Sequence, residues 1–337
     1  MPWKATAAFV IAALMLPVSA GAQSVAEFYR GRQVQMLIGY SAGAGYDLYA
    51  RVLARHMGKH IPGNPTIVPQ NMPGAGSLKL ANYLYSQAPK DGSVVGMVSR
   101  GMATEPLFGD AKFDPTKFAW LGSITSEVSV CATWHTSPIK SWSDISAKDF
   151  TLGGMGSASE TDTFSMLLRN MFGAKMKLVS GYPGGNDVNL AIERGEVDGR
   201  CGWSWSSIKS QKRAWLKEKK INVIVQMGMA KHPDLPNVPS LIELAKTDEQ
   251  RQMLRLIFTQ LVLGRPFMAP PGIPEDRKIA LRQAFDATMK DPEFLEEAAK
   301  LDLEISPVGA QAIDDLLAEL YRTPKSVVEK AAAAISK

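Results

Sequence analysis

Cysteine is scarce in this 337-residue chain, which holds only Cys131 and Cys201. Two cysteines cannot build the multi-bridge framework of a small secreted scaffold. With no Cys-x-x-Cys spacing and no histidine beside either, they do not form a zinc knuckle. They permit one disulfide, the alternative being two buried thiols that act as small hydrophobes in strands. Histidine is limited to four residues. His56 and His60 have the spacing that lets two imidazoles share a metal, but Met57, Gly58 and Lys59 between them omit the glutamate of a zincin motif. An exposed helix face is the expectation, and no metal is assigned. A phosphate loop ending in Gly-Lys-Ser/Thr is missing, and Gly43-Ala44-Gly45-Tyr46-Asp47-Leu48 has Leu48 where the dinucleotide fingerprint needs its third glycine. No cofactor is therefore expected. Ser157 and Ser159 lie in glycine-rich surroundings without an identifiable base, since His135 and His232 fall in other segments. Basic residues are scattered without aromatic interleaving, so no nucleic-acid partner is expected.

What is present begins with a leader. Residues 1–22 carry one charge, Lys4, then an apolar core from Ala5 to Leu16, a break at Pro17 and the small residues Ala20-Gly21-Ala22. This reads as a secretory signal peptide cut before Gln23. Its core is too short to span a bilayer, and no later stretch approaches the roughly 20 apolar residues that a membrane helix needs. The mature chain is expected to be exported, soluble and monomeric. Losing Lys4 leaves 37 of 38 basic residues against 33 acidic ones, a mild surplus compatible with anionic small ligands. At this length the chain exceeds the roughly 250–300 residues at which one core stops growing. Two lobes are expected.

The stretch Val34 to Arg51, VQMLIGYSAGAGYDLYAR, organises the rest. Val34, Met36, Leu37 and Ile38 suit a buried strand, and Gly43 and Gly45 permit backbone angles that a side chain would block. A helix restarting near Asp47 points its free N–H groups back at the loop, so the corner can cradle a carboxylate or phosphate. A tight turn with no ligand is the plainer reading. Asp47 either stabilises its own helix or orients a ligand or an ordered water.

Further corners of the same kind follow along the chain. Thr66 to Gln70 reads as a strand before Asn71-Met72-Pro73-Gly74-Ala75-Gly76-Ser77, and Ser93 to Val98 as one before Ser99-Arg100-Gly101-Met102. A strand from Thr125 to Thr133 precedes the second lobe. There Phe150-Thr151-Leu152 leads into Gly153 to Ser159 and a helix from Glu160, and Met176 to Ser180 leads into Gly181 to Asp187 and a helix from Val188. Ser157, Ser159 and Thr161 can cap the first of these helices or donate to a ligand. Trp203 can pack in the core or stack on a planar ligand. Asn222 to Met227 and Gln260 to Gly264 read as further strands. Strands whose carboxyl ends carry glycine loops define an open α/β sheet with its ligands gathered outside those ends.

The ordered set LIGYSAGAGYDLYAR, QNMPGAGS, APKDG, GGMGSASETDTF, GYPGGNDVNLAIERGEVDG and APPGIP resembles the substrate-binding proteins of tripartite tricarboxylate transporters, the Bug family. The resemblance covers essentially all of the mature chain and is carried most by Asn71 followed by Pro73-Gly74-Ala75-Gly76 behind a corner bearing Asp47 and Arg51. It implies a two-lobe α/β periplasmic binding protein of the Venus-flytrap kind, with lobe I from residues 23–127 and 226–337 and lobe II from 128–225. It also implies a carboxylate ligand, membrane transporter subunits as transient partners, and no catalysis. The ligand would meet Tyr40, Ser41, Ala42, Gly43, Ala44, Gly45 and Asp47, with Gly74, Ala75 and Arg100 lining the same lobe. Gly156, Ser157, Ser159, Thr161, Gly184, Asn186 and Trp203 would close from the other. The stretch Glu160-Thr161-Asp162-Thr163 departs from the family pattern. Its acids disfavour a second ligand carboxylate unless a cation compensates, and Arg100 and Arg200 either supply that charge or pair with the acids. Two alternatives to transport remain: an exported cleft hydrolase or isomerase using Asp47 or Asp162, and a ligand sensor for a membrane receptor.

Overall fold

The computed structural model describes Met1 and residues 23–109 and 111–336. Apart from Met1, the expected leader 1–22 lies outside the described residues. Among the described residues eleven strands form two sheets. The first contains β1 (Gln33–Ile38), β2 (Thr66–Asn71), β3 (Val94–Met97), β4 (Ala119–Ser123), β10 (Pro266–Ala269) and β11 (Val308–Gly309), in the order β11-β4-β10-β3-β1-β2. The second contains β5 (Ser129–Trp134), β6 (Phe150–Gly154), β7 (Met176–Ser180), β8 (Gly199–Ser204) and β9 (Ile221–Met227), in the order β7-β6-β8-β5-β9. In each sheet the strands that feed glycine corners run parallel: β1 with β2 and β3, and β6 with β7 and β8. The returning strands are antiparallel, β10 against β3 and β4 and β5 against β8 and β9.

This topology puts the carboxyl ends of β1, β2, β3, β6, β7 and β8 at the loops expected to face one another. Helices cover both faces, so β3, β4 and β8 are buried along their whole length. The helix Gly45–Met57 turns Tyr49, Val52, Leu53 and Met57 inward at helical spacing. The chain passes from the first sheet to the second between β4 and β5 and returns between β9 and β10. Its last helix, Lys325–Ile335, reaches across to the helix Glu160–Phe172, where Asn170 donates to the carbonyls of Ala334 and Ser336. Among the described residues no helix is long and apolar enough to cross a membrane.

Local detail differs from expectation in three places. The apolar run read as a strand over Gln260–Gly264 ends a helix and forms a 3₁₀ turn, Thr259–Val262, and the strand follows at Pro266–Ala269. A short apolar run does not separate a strand from a buried helix end, and Leu261 and Leu263 are buried either way. The strand read as Thr125–Thr133 begins at Ser129, because residues 124–128 make the crossing and Glu127 N–H donates to the Leu261 carbonyl. The helix expected from Val188 starts at Gly185.

Cys131 on β5 and Cys201 on the adjacent β8 are joined by a disulfide, with a Cα–Cα distance of 3.8 Å. The bond pins neighbouring strands that are 70 residues apart in the chain. Replacing both cysteines by alanine is expected to cost about 2–4 kcal/mol, through the wider unfolded ensemble. Urea unfolding with and without reductant checks this, and identical midpoints contradict it.

Candidate functional site

The first corner is held by its own side chains. Asp47 is buried and accepts from Gly43 N–H at 2.8 Å, Arg51 Nε at 2.9 Å and Asn71 Nδ2 at 2.8 Å. Asn71 also donates to the Tyr40 carbonyl, and Arg51 donates to Asn71 Oδ1. Burial acts to raise the Asp47 pKa, but the bonds from Arg51, Gly43 and Asn71 outweigh it and hold the carboxyl below its ordinary value. Asp47 thus braces the loop from behind, with Asn71 of the second corner as its clamp.

Loops of the two sheets meet directly. Ser41 donates to Asp187 at 2.7 Å, and Gln211 Nε2 donates to the Gly43 carbonyl at 3.1 Å. A Cβ on Gly184 would lie 2.1 Å from Ser41 Oγ, and one on Gly43 would lie 3.0 Å from Asn186 Nδ2. On the other flank a Cβ on Gly156 would lie 2.8 Å from the Ala75 carbonyl carbon, and one on Gly76 would lie 2.7 Å from Ser159 N. Glycine at 76 and 156 lets backbone touch backbone across the crevice, and at 43 and 184 it leaves room for the side chains of Asn186 and Ser41.

Between the loops lies a cavity of about 30 Å³. That is room for about two waters, so an organic acid enters only when the walls part. Of the residues singled out in the sequence, Tyr40, Ala44, Gly45 and Trp203 line it, as do Glu160 and Arg200, named there for their charge. Ser41, Gly43, Gly184 and Asn186 form its rim, where Ala42 is exposed. Gly74 precedes Ala75 in the second corner, on the flank sealed by Gly156 and Ser159. Thr161 holds the facing loop by accepting from Met155 N–H at 2.9 Å and bonding Ser159 Oγ at 2.7 Å. Ser157 lines a separate hollow of about 450 Å³ that also includes Asp162. His56 and His60 meet different carboxylates, Glu297 and Asp291.

Arg100 does not line the cavity. It is buried and paired with Glu160 at 3.0 Å, and it also donates to Ser129 and Ser204 of the second sheet. Burial acts to lower its pKa, but Glu160 together with Tyr46, Glu127 and Tyr40 outweighs this and the net shift is upward. Arg265 is likewise buried, pairs with Glu127 at 3.0 Å, donates to Ser204 and Ser207, and lies over the Tyr46 and Tyr49 rings. Burial pushes the Glu127 carboxyl upward against the pull of Arg265. Arg200, which lines the cavity, has neutral partners only: the Gly185 carbonyl at 2.9 Å and Asn189 Oδ1 at 3.3 Å. Burial pulls it down to about 10, with a smaller push the same way from the Arg100 charge, while the Glu160 charge and Tyr40 act to raise it.

Asn189, Ser207, Gln211 and Arg265 are cavity-lining residues that were not singled out from the sequence, whereas Glu160 and Arg200 read there as an acid near the pocket and a cation that either compensates it or pairs with it. A lone arginine inside the apolar run LVLGRPFMAP was the available signal for Arg265. Also passed over was Gly39-Tyr40-Ser41-Ala42-Gly43, which has the G-x-S-x-G spacing of a nucleophile elbow. The geometry does not follow the spacing. An elbow strains its serine, whereas Ser41 is not among the positive-φ residues. Its hydroxyl donates to Asp187, and no histidine lines the cavity.

Two α/β sheets joined by two crossings, with a crevice between their glycine loops, define a two-lobed solute-binding protein. The chain belongs to the tripartite tricarboxylate transporter family receptor group, TctC, whose sequence profile matches residues 49–332. The periplasmic binding protein BugD superposes with a TM-score of 0.73 at 19% identity, over 90% of this chain and 98% of that one. MatC from Rhodopseudomonas palustris, solved with bound malate, gives 0.69 at 20% identity over 88% and 99%. An R. palustris protein solved with adipate gives 0.69 at 18% over 90% and 97%. A curated relative from Cupriavidus necator, described as the UPF0065 protein in the gbd 5' region, is 26% identical over 97% of this chain and 94% of its own length.

The close approach of the loops is testable at Gly184, whose φ of −169° is extended backbone that any residue adopts. Gly43, at φ 77°, would add backbone strain to the result. Gly184→Val is expected to keep the lobes from shutting and to weaken ligand binding at least tenfold, about 1.4 kcal/mol, with little change in the ligand-free unfolding midpoint. Calorimetric titration together with thermal unfolding checks this, and unchanged affinity contradicts it.

Proposed function

We propose that this chain captures a small organic acid, as its carboxylate, in the crevice between its two sheets and delivers it to the membrane subunits of a tripartite transporter. The observation that carries the reading is the cavity itself, whose walls come from both sheets. Tyr40, Ala44 and Gly45 stand on one side and Met155, Gly185 and Arg200 on the other. A ligand there touches both lobes only when they shut, so binding energy and the conformational signal have one source. The carboxylate class is supported by the relatives solved with malate and adipate and by an arginine in the wall. Lobe I is assigned residues 23–127 and 226–337, and lobe II residues 128–225. The leader 1–22 is assigned to export into the periplasm, where the mature chain works as a monomer.

No covalent step is assigned. Asp47, the acid that an enzyme would use at the first corner, is engaged by its own loop, and Asp162 borders a different hollow. Family membership favours delivery to a transporter over sensing.

Thermal unfolding of the mature protein against mono-, di- and tricarboxylates, amino acids and aromatic acids tests the proposal. An acid at about a hundred times its dissociation constant raises stability by about 2.7 kcal/mol, and mass spectrometry should recover it unchanged. Stabilisation by no acid, or consumption of the bound one, contradicts the proposal.

A further inference from the structure

The charges around the cavity do not cancel. Three charged side chains line it: Glu160, Arg200 and Arg265. Glu160 is neutralised by Arg100 behind it, and Arg265 by Glu127. All four of these side chains are at most 2% exposed, so each pair is desolvated and its charges are spent on each other. Arg200 is 4% exposed, and among the described residues no carboxylate lies within ion-pair distance of it. The count leaves one positive charge. Asp162 borders another hollow, and the partly exposed Asp187 is bonded to Ser41 at the rim, so neither enters this count.

Arg200 is also shaped to receive an anion. Nη1 is occupied by the Gly185 carbonyl and Asn189, while Nε is buried without a partner. Arg100 and Arg265 also leave Nε unpartnered, but their charges are held by Glu160 and Glu127, so Arg200 is the one that joins an unused edge to an unpaired charge. The guanidinium carbon lies over Trp203, 4.9 Å from the ring centroid, which limits where that edge can turn. Gly185 begins a nine-residue helix, so first-turn N–H groups add donors beside the arginine. A carboxylate set against Nε and Nη2 would satisfy the edge in two-point fashion and remove the surplus charge. A second carboxylate would be a buried anion without a cation, because Glu160 already holds Arg100.

Resting on the reading of this crevice as a carboxylate site, we infer that it selects an acid with one net negative charge, held by Arg200. The rest of the wall mixes Tyr40, Met155 and Trp203 with Asn189, Ser204, Ser207 and Gln211, which suits a compact body that carries neutral polar groups as well as an apolar part. Malate and adipate, the acids present in the two solved relatives, carry one charge too many for this cavity.

Calorimetric titration of the full mature protein, refolded from denaturant to strip any co-purified acid, tests the inference at pH 7.5. The probes are lactate, pyruvate and benzoate against malate, adipate and citrate. The best monoacid is expected to bind at least tenfold tighter than any di- or tricarboxylate. Arg200→Gln is expected to lose at least thirtyfold for that monoacid. Glu160→Gln frees the Arg100 charge and is expected to move the malate-to-monoacid affinity ratio at least tenfold toward malate. Preference of the wild type for malate, adipate or citrate overturns the inference while leaving the carboxylate reading standing. So does an unchanged ratio in Glu160→Gln, which decides the matter even where Arg200→Gln fails to fold. Binding of no acid of either charge overturns the inference and the carboxylate reading together.

Discussion

The ion pair between Arg100 and Glu160 ties the two halves of the molecule together. Arg100 follows β3 of the first sheet and Glu160 opens a helix of the second, yet neither is exposed to water. Two buried charges at this distance are tolerable only while each neutralises the other, and removing one partner from such a pair costs about 3–5 kcal/mol. Arg100 adds bonds to Ser129 and Ser204, both on strands of the second sheet. When the lobes part, water reaches both ends of the pair and repays their desolvation. Opening is therefore cheaper than the loss of a buried pair would suggest. Shutting gathers the same charges into a dry wall, and the ligand charge has to fit what they leave over.

Around this pair, the glycine loops set how near the lobes come. Ser41 against Gly184 and Gly76 against Ser159 are contacts in which one added carbon would collide. The braced corner at Asp47 keeps the first loop in shape for that approach. Rigid loops and a shared charge network thus act together: the loops fix distance and the charges fix which anion is admitted.

Much of this was legible from local chemistry. Strand, glycine corner and helix recur at Ile38–Asp47, Asn71–Leu78, Gly154–Glu160 and Ser180–Val188, and each signal is contained in a dozen residues. Both the α/β class and the loops that meet were readable for that reason. The charge network was not. Glu127 and Arg265 are 138 residues apart in sequence, and nothing local says that Glu160 turns back to Arg100 rather than outward to a ligand. Arg100 accordingly looked like a cavity residue, and the sequence left open for both Arg100 and Arg200 whether they supply charge to the ligand or pair with the acids; Arg100 pairs with Glu160 and Arg200 stands in the wall. The strand near residue 260 was misplaced because burial of Leu261 and Leu263 is equally consistent with a helix end. The Ser41 spacing shows the reverse problem, a catalytic pattern whose backbone lacks the strained turn that gives it meaning.

The central claim is that the acid sits in the crevice between the sheets and closes it. A crystal structure grown with an acid that stabilises the protein tests this most directly. The account predicts one carboxylate within hydrogen-bonding distance of the Arg200 guanidinium, between the Tyr40–Gly45 loop and the start of the helix at Gly185. An acid seated instead in the hollow beside Ser157 and Met166, with the crevice unchanged, would contradict it.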